Sequence, residues 1–278
     1  MGKEISKKEE VAYNNQLNEV IFQKFNDRDF NVFISIIARV SGKGTNDQIK
    51  IDYATLKRLA GFENKHISNK EFNTMLAGMN KKLLNCTCSI QDGSREIDFA
   101  LFPEFIRDPD KGILTVKVSE RLGYIVNDFN GYTSLELKKF VRLESKYTKT
   151  LYRRLRQFKR TGEYIVTVKQ FRREFLIPDS YKQADIQRRI IEPSVAELKK
   201  EFKGLECIPH RADTRGNPVD RYTFKFQPDD QIPGQMTANE WLESVTSNKA
   251  KKADKNSFTN YEQNSYNFAE LEEQLLDN

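Results

Sequence analysis

Apolar residues recur at intervals of three and four through much of the first 130 residues. In 25–40, FNDRDFNVFISIIARV, that spacing predicts an amphipathic helix. In 51–62, IDYATLKRLAGF, it predicts a second, with Asp52 as N-cap and Gly61 as stop. In 68–85, Phe72, Leu76, Met79 and Leu83 fall at steps of four, three and four, one face of a third helix. The period then changes to two. CTCSIQDGSREIDFALF predicts a hairpin around Gln91, Asp92, Gly93 and Ser94, and GILTVKV (112–118) a further strand. Three helices followed by a hairpin is the order of a winged helix, a variant of the helix-turn-helix.

The same order returns downstream. SKYTKTLYRRLRQFKRTG (145–162) predicts a strong helix closed by Gly162, and YIVTV a short strand. TVKQFRREFLI (167–177) predicts a helix capped by Thr167, ahead of a turn at Pro178, Asp179 and Ser180. QADIQRRIIEPSVAELKKEF (183–202) predicts a long helix interrupted by Pro193, which kinks a helix or opens a new first turn. LECIPHRADTRGNPVDRYTFKFQ (205–227) reads as a second wing turning about Gly216, Asn217 and Pro218. Asp52 and Thr167 correspond at an offset of 115, as do Leu56 with Phe171 and Leu83 with Leu198. Residues 229–278 show no sustained period. The expected class is α+β: two tandem winged-helix domains, 1–130 and 131–228, and a flexible acidic C-terminal tail, 229–278.

Charge sharpens this division. The 278 residues hold 46 Lys and Arg against 40 Asp and Glu, a formal charge of +6. Residues 1–132 carry net +1, residues 133–228 net +11, and residues 229–278 net −6. A positive field gathered in one domain suggests a nucleic-acid partner, because a surface serving solubility alone mixes both signs. No run nears the ~18–20 apolar residues of a membrane span. The opening MGKEISKKEE has no apolar stretch behind it, so a cytoplasmic protein without membrane contact is expected.

Enzyme chemistry finds little footing. A rolling-circle nickase needs paired His beside its Tyr, but the two His, His66 and His210, are isolated. Gly42-Lys43-Gly44-Thr45 lacks the first Gly of a P-loop, and no G-x-S-x-G occurs. Cys86, Cys88 and Cys207 with one His make a zinc site on paper, but the spacing fits no compact knuckle. Cys86 and Cys88 are expected as small apolar residues of a strand. No catalytic residue, metal or cofactor is expected.

DNA contacts are expected at three places. In helix 145–160, Tyr147, Leu151, Leu155 and Phe158 form one face and Lys146, Lys149, Arg153, Arg156 and Arg160 the other. The helix contains no Glu for i,i+4 pairing, so the five cations call for an external anion, and a phosphate backbone supplies it. The helix opening at Gln183 offers Lys182, Gln183, Gln187, Arg188 and Arg189 to a major groove, where Arg pairs with guanine and Gln with adenine. Arg211 and Arg215 of the wing reach an adjacent groove or backbone. The equivalent helix of the first unit presents Lys65, Ser68, Asn69, Lys70 and Asn73.

Three segments together resemble a known family. SKYTKTLYRRLRQFKRTGEY (145–164), YKQADIQRRIIEPSVAELKK (181–200) and VAYNNQLNEV near the start are similar to segments of the replication initiators of theta-replicating bacterial plasmids. The resemblance runs over about residues 11–228. It implies that the second winged helix binds direct repeats (iterons) of double-stranded origin DNA, while the first assists and carries dimerisation. It implies a monomer–dimer equilibrium in which monomers initiate and dimers repress the protein's own gene, and recruitment of host DnaA, helicase and primase. It implies no catalytic site. The residues alone reach a tandem winged-helix DNA binder, for which a plain transcriptional repressor is the alternative.

Overall fold

The computed structural model describes residues 10–41, 48–84, 88–92, 95–127 and 131–229. Gly42 to Thr45, Cys86, the turn residues Gly93 and Ser94, and 230–278 of the expected tail lie outside the described residues.

Strand β1 (Glu10–Asn14) leads to a single helical turn, α1 (Gln16–Glu19). Helix α2 (Asp27–Val40) opens on a capping box, in which Asn26 and Asp29 each accept the other's amide at 2.9 Å. Then come β2 (Gln48–Asp52), α3 (Tyr53–Leu59), α4 (Asn69–Leu83), β3 (Cys88–Asp92), β4 (Arg95–Phe99), β5 (Glu104–Asp108), β6 (Ile113–Lys117) and α5 (Glu120–Asn127). The second half runs β7 (Tyr132–Glu136), α6 (Leu137–Arg142), α7 (Lys146–Gln157), β8 (Glu163–Thr167), α8 (Val168–Glu174) and α9 (Gln183–Ile186). A π-turn (Gln187–Ile191), α10 (Glu192–Leu198), β9 (Glu206–Arg211) and β10 (Val219–Lys225) complete it.

Two antiparallel three-stranded sheets, β2-β6-β5 and β8-β10-β9, have the same plan. The strand that feeds the helix pair is one edge, the first wing strand is the other, and the second wing strand is central. These are two tandem winged helices. The offset of 115 marks equivalent places in them. Asp52 accepts the Thr55 amide at 2.7 Å and Thr167 accepts the Gln170 amide at 3.2 Å, each capping the first helix of its pair. Leu56, Phe171, Leu83 and Leu198 are all buried.

The first wing differs from the expectation. Its hairpin is β5–β6, with Arg107 opposite Leu114, whereas the predicted hairpin forms a separate pair, β3–β4, with Cys88 opposite Phe99. Pro103 and Pro109 flank β5 and cut its apolar run short, so no alternation stands out in the sequence. The pairing of β1 with β7, Val11 opposite Leu135, joins segments more than 100 residues apart, beyond the reach of local pattern.

One apolar cluster runs from Val11 to Phe226 through both winged helices. Phe22, Phe25, Phe30 and Phe33 pack with ring centroids 4.8–6.1 Å apart in the first unit. Phe171, Tyr222 and Phe224 pack in the second. Gly162 closes the turn after α7. Its φ is +66°, and a Cβ there would lie 2.5 Å from the Phe226 carbonyl oxygen. Gly162→Ala is therefore expected to destabilise by more than about 1 kcal/mol. Gly78→Ala, inside α4 with no atom within 4 Å of the new methyl, is expected to stabilise by roughly 0.5–1 kcal/mol. Urea unfolding of both variants checks the contrast.

Candidate nucleic-acid interface

The turn between α8 and α9 is held from below. The Arg172 guanidinium donates to the carbonyls of Pro178 (3.4 Å) and Tyr181. The sequence reading passed over Arg172, because nothing in its spacing separates a brace from a solvated cation. Next, Asp185 accepts the Lys182 amide at 3.1 Å and fixes the helix start, with Lys182 itself exposed. Arg188 and Arg189 follow, their side chains 72% and 53% exposed. The Asp185 carboxylate lies 3.6 Å from Arg188 and 3.3 Å from Arg189. The Arg189 guanidinium also sits over the Tyr181 ring, 5.2 Å from its centroid. Both glutamines are engaged within the protein: Gln183 donates to the Tyr222 hydroxyl, and Gln187 donates at the surface to the exposed Glu192 at 3.2 Å. In the wing, Arg211 donates to the Asn217 carbonyl at 3.0 Å, beside Gly216 and Asn217 with φ of +85° and +45°. Arg211, Arg215 and Arg221 are exposed.

In the first unit, Lys65, Ser68, Asn69 and Lys70 are exposed around the start of α4. Ser68 is engaged as the cap, accepting the Glu71 amide at 3.2 Å and donating to the Glu71 carboxylate at 2.7 Å. Asn69 accepts from Lys57 at 3.0 Å. Asn73 is half-buried and accepts from the Tyr53 hydroxyl at 3.2 Å.

The basic face of α7 requires a correction. Lys149 and Arg153 are buried and cannot meet a phosphate. The Lys149 ammonium donates to the carbonyls of Phe140 and Leu143, both at 2.7 Å. These carbonyls lie at the end of α6, where the helix dipole also favours a cation, and that of Phe140 accepts the Leu143 amide as well. Arg153 donates to the Tyr13 hydroxyl at 3.2 Å and the Leu17 carbonyl at 2.6 Å, its guanidinium 5.1 Å from the Phe22 ring centroid. Arg156 is half-buried and donates to the Ser134 carbonyl at 2.6 Å. Arg154, outside the predicted stripe, is buried between Glu19 (2.6 Å) and Glu174 (3.1 Å). Its hydrogen bond holds the Glu19 carboxyl below its ordinary value. The anions and carbonyls that balance α7 thus come from α1, α6, β7 and α8. Of the five residues predicted, Lys146 is half-buried against the Tyr147 ring and Arg160 is exposed.

Among the described residues, no three His, Cys, Asp or Glu side chains gather as a metal site. Burial pushes the Cys207 thiol up to about 12, which opposes the thiolate a metal needs. No helix among the described residues is long and apolar enough to cross a membrane.

Two consequences are measurable. Removing one partner of a buried ion pair strands the other charge. Arg154→Met leaves Glu174, only 10% exposed, without its cation, and is expected to cost about 3 kcal/mol. Burial lowers the Lys149 ammonium from 10.5 to about 8, against the pull of Asp27 and Glu197. The unfolded chain then binds more protons between those values, so this residue's contribution to stability rises with pH across the window. Denaturant titrations of the parent and Lys149→Met from pH 7.5 to about 10.5 are expected to diverge in the parent's favour as pH rises.

Residues 10–156 match the family described as Initiator Replication protein, WH1, and residues 167–226 match Initiator Rep protein, WH2. A probable replication protein of Bifidobacterium longum (strain NCC 2705) is 31% identical over 190 residues, 67% of this chain and 63% of that one. The PI protein of Escherichia coli is 22% identical over 169 residues, 54% of this chain and 55% of that one. The aligned stretches thus span about three fifths or less of these relatives. A crystal structure of Pi initiator protein in complex with iteron DNA shares the fold, with a TM-score of 0.62 at 20% identity, covering 82% of this chain and all of that one. With both winged-helix regions matched in order along the folded chain, this protein belongs to the initiator replication protein family.

Proposed function

We propose that this protein initiates plasmid replication by binding tandem repeats in double-stranded origin DNA, and that it represses its own gene as a dimer. The observation that carries the reading is the exposed Arg188–Arg189 pair on the second helix of the second winged helix. That helix is the one which enters a major groove in helix-turn-helix proteins. Arg is the side chain best suited to bidentate contact with guanine. Around the pair, the exposed cations Lys182, Arg211 and Arg215 are assigned to phosphate, with Arg160 at the end of α7. Gln183 and Gln187 read bases only after leaving Tyr222 and Glu192. The first winged helix assists with Lys65, Asn69 and Lys70 and carries self-association. Host DnaA and helicase are the proposed partners, the cytoplasm the proposed site of action, and no chemical step is assigned to the protein. The iteron complex of the structurally similar Pi initiator supports the same reading.

The test is a footprint on the DNA flanking the coding region, with strand nicking assayed in the same tubes. Regularly spaced protection on one helical face without nicks is expected. A single palindromic footprint would move the reading to a plain repressor, and a nick would overturn the non-enzymatic assignment. Arg188→Ala and Arg189→Ala are each expected to cost about 1–3 kcal/mol on the protected site and little on random duplex. Arg215→Ala is expected to weaken both alike and to lower the salt slope by about one.

A further inference from the structure

The helix that carries the arginine pair is not a uniform α-helix. Between α9 and α10 it opens into a π-turn, in which the Glu192 amide donates to the Gln187 carbonyl, five residues back. The cause stands in the sequence two residues beyond the turn. Pro193 has no N–H, and in a regular helix its ring would collide with the carbonyl four residues earlier, that of Arg189. A widened turn relieves the collision.

The side chains follow the same irregular geometry. Ile186, Ile190, Ser194 and Leu198 are buried at steps of four, and Ala184, Arg188, Glu192 and Ala196 are exposed at steps of four. A step of four overruns an α-helical turn by about 40°, so three steps drift by about 120°. One residue added to a turn removes about 100° of that drift. The neighbours Ile190 and Ile191 are both buried, as the added residue requires. The π-turn therefore keeps both stripes straight. It sets Arg188 and Arg189 on the same side of the helix as the exposed face of α10. The C-terminal half cannot turn to compensate, because Ser194 is held by the Thr148 hydroxyl at 3.1 Å and Leu198 is buried.

We propose that Pro193 is a positioning residue for base recognition. By enforcing the π-turn, it fixes the angle at which Arg188 and Arg189 meet the major groove, and so determines which base pairs they read. This rests on the function proposed above, since it requires that the arginine pair reads bases. Pro193 itself need not touch DNA. π-turns inside helices occur often at functional sites, where an added residue re-aims a side chain.

The test enriches binding sites from a random duplex library, using the full chain and the full-length Pro193→Ala variant. The parent is expected to enrich one motif. The variant is expected to keep its affinity for random duplex within about twofold, which also reports that it is folded, yet to bind the parent's motif about tenfold or more weakly. It is expected to enrich a different motif. Arg188→Ala should cost about tenfold on the motif in the parent but less than about threefold in the Pro193→Ala background. That loss of coupling is what a merely structural proline would not produce. The inference is overturned if Pro193→Ala enriches the same motif with the parent's affinity. It is also overturned if the variant loses motif and random duplex alike, or if Arg188→Ala costs the same in both backgrounds. If the parent enriches no motif, sequence-specific binding itself fails and takes this inference with it, a failure visible without any variant.

Discussion

Taking an ammonium or guanidinium out of water costs several kcal/mol even after the protein relaxes, so a buried cation needs its acceptors built around it. Helix α7 buries three cations, Lys149, Arg153 and Arg154, within six residues. Each is met by an acceptor whose position depends on another element. Lys149 takes the last carbonyls of α6, Arg153 a carbonyl of α1 and the hydroxyl of Tyr13, and Arg154 the carboxylates of Glu19 and Glu174. Arg156 adds the backbone of β7. Together these acceptors bring segments from residue 13 to residue 174 onto one helix. The helix that looks most suited to binding something outside the protein is the one that ties its parts together.

Arg154 makes this tie cross the two winged helices. Glu19 belongs to the segment before the first, and Glu174 ends the first helix of the second. One guanidinium between them, in a core that runs without interruption from Val11 to Phe226, couples the units more firmly than a linker does. The two units repeat one plan with different means. Both cap the first helix of the pair with a short polar side chain, Asp52 or Thr167, and both bury an apolar residue four positions on. Their second helices diverge. Helix α4 is a regular fifteen-residue helix with a capping box, while its counterpart carries Pro193 and a π-turn.

Most of the element order was legible in the sequence, because helix caps, stops and periodicity are local signals. Asp52 and Thr167 cap as expected, and Gly61 and Gly162 stop their helices with a positive φ. The β3–β4 and β9–β10 hairpins were legible from their turns, but the other strand partners were not. β1 and β7 meet across more than 100 residues, and β5 hides between prolines. The α7 stripe was misread for a further reason. A period of 3.6 identifies two faces, and residue type then assigns the charged one to water, since Lys and Arg are almost never fully buried unless paired. The pairing partners, Glu19 and the carbonyls of Phe140, Leu143 and Leu17, lie in segments that no helical wheel includes. The missing Glu in α7 was a true signal that its charge is balanced elsewhere, but the balance is internal.

Withdrawing those cations from the surface changes where the positive field can act. Among the exposed cations that carry the field of the second unit, Lys182, Arg188, Arg189, Arg211, Arg215 and Arg221 belong to the α8–α9 turn, the helix behind it and the wing. Asp185 stands between Arg188 and Arg189, close enough to orient both guanidiniums before any ligand arrives. A carboxylate there weakens the attraction of the pair to phosphate of any sequence, and it limits the side-chain entropy lost when a planar fork meets a guanine edge. Lys182 and the wing arginines lack a carboxylate held between them in this way, and their attraction to the backbone is correspondingly indiscriminate. The charge arrangement thus separates two tasks on one basic surface. In the proposed function, the exposed cations outside that pair are assigned affinity, and the clamped pair on a helix of fixed pitch is assigned discrimination.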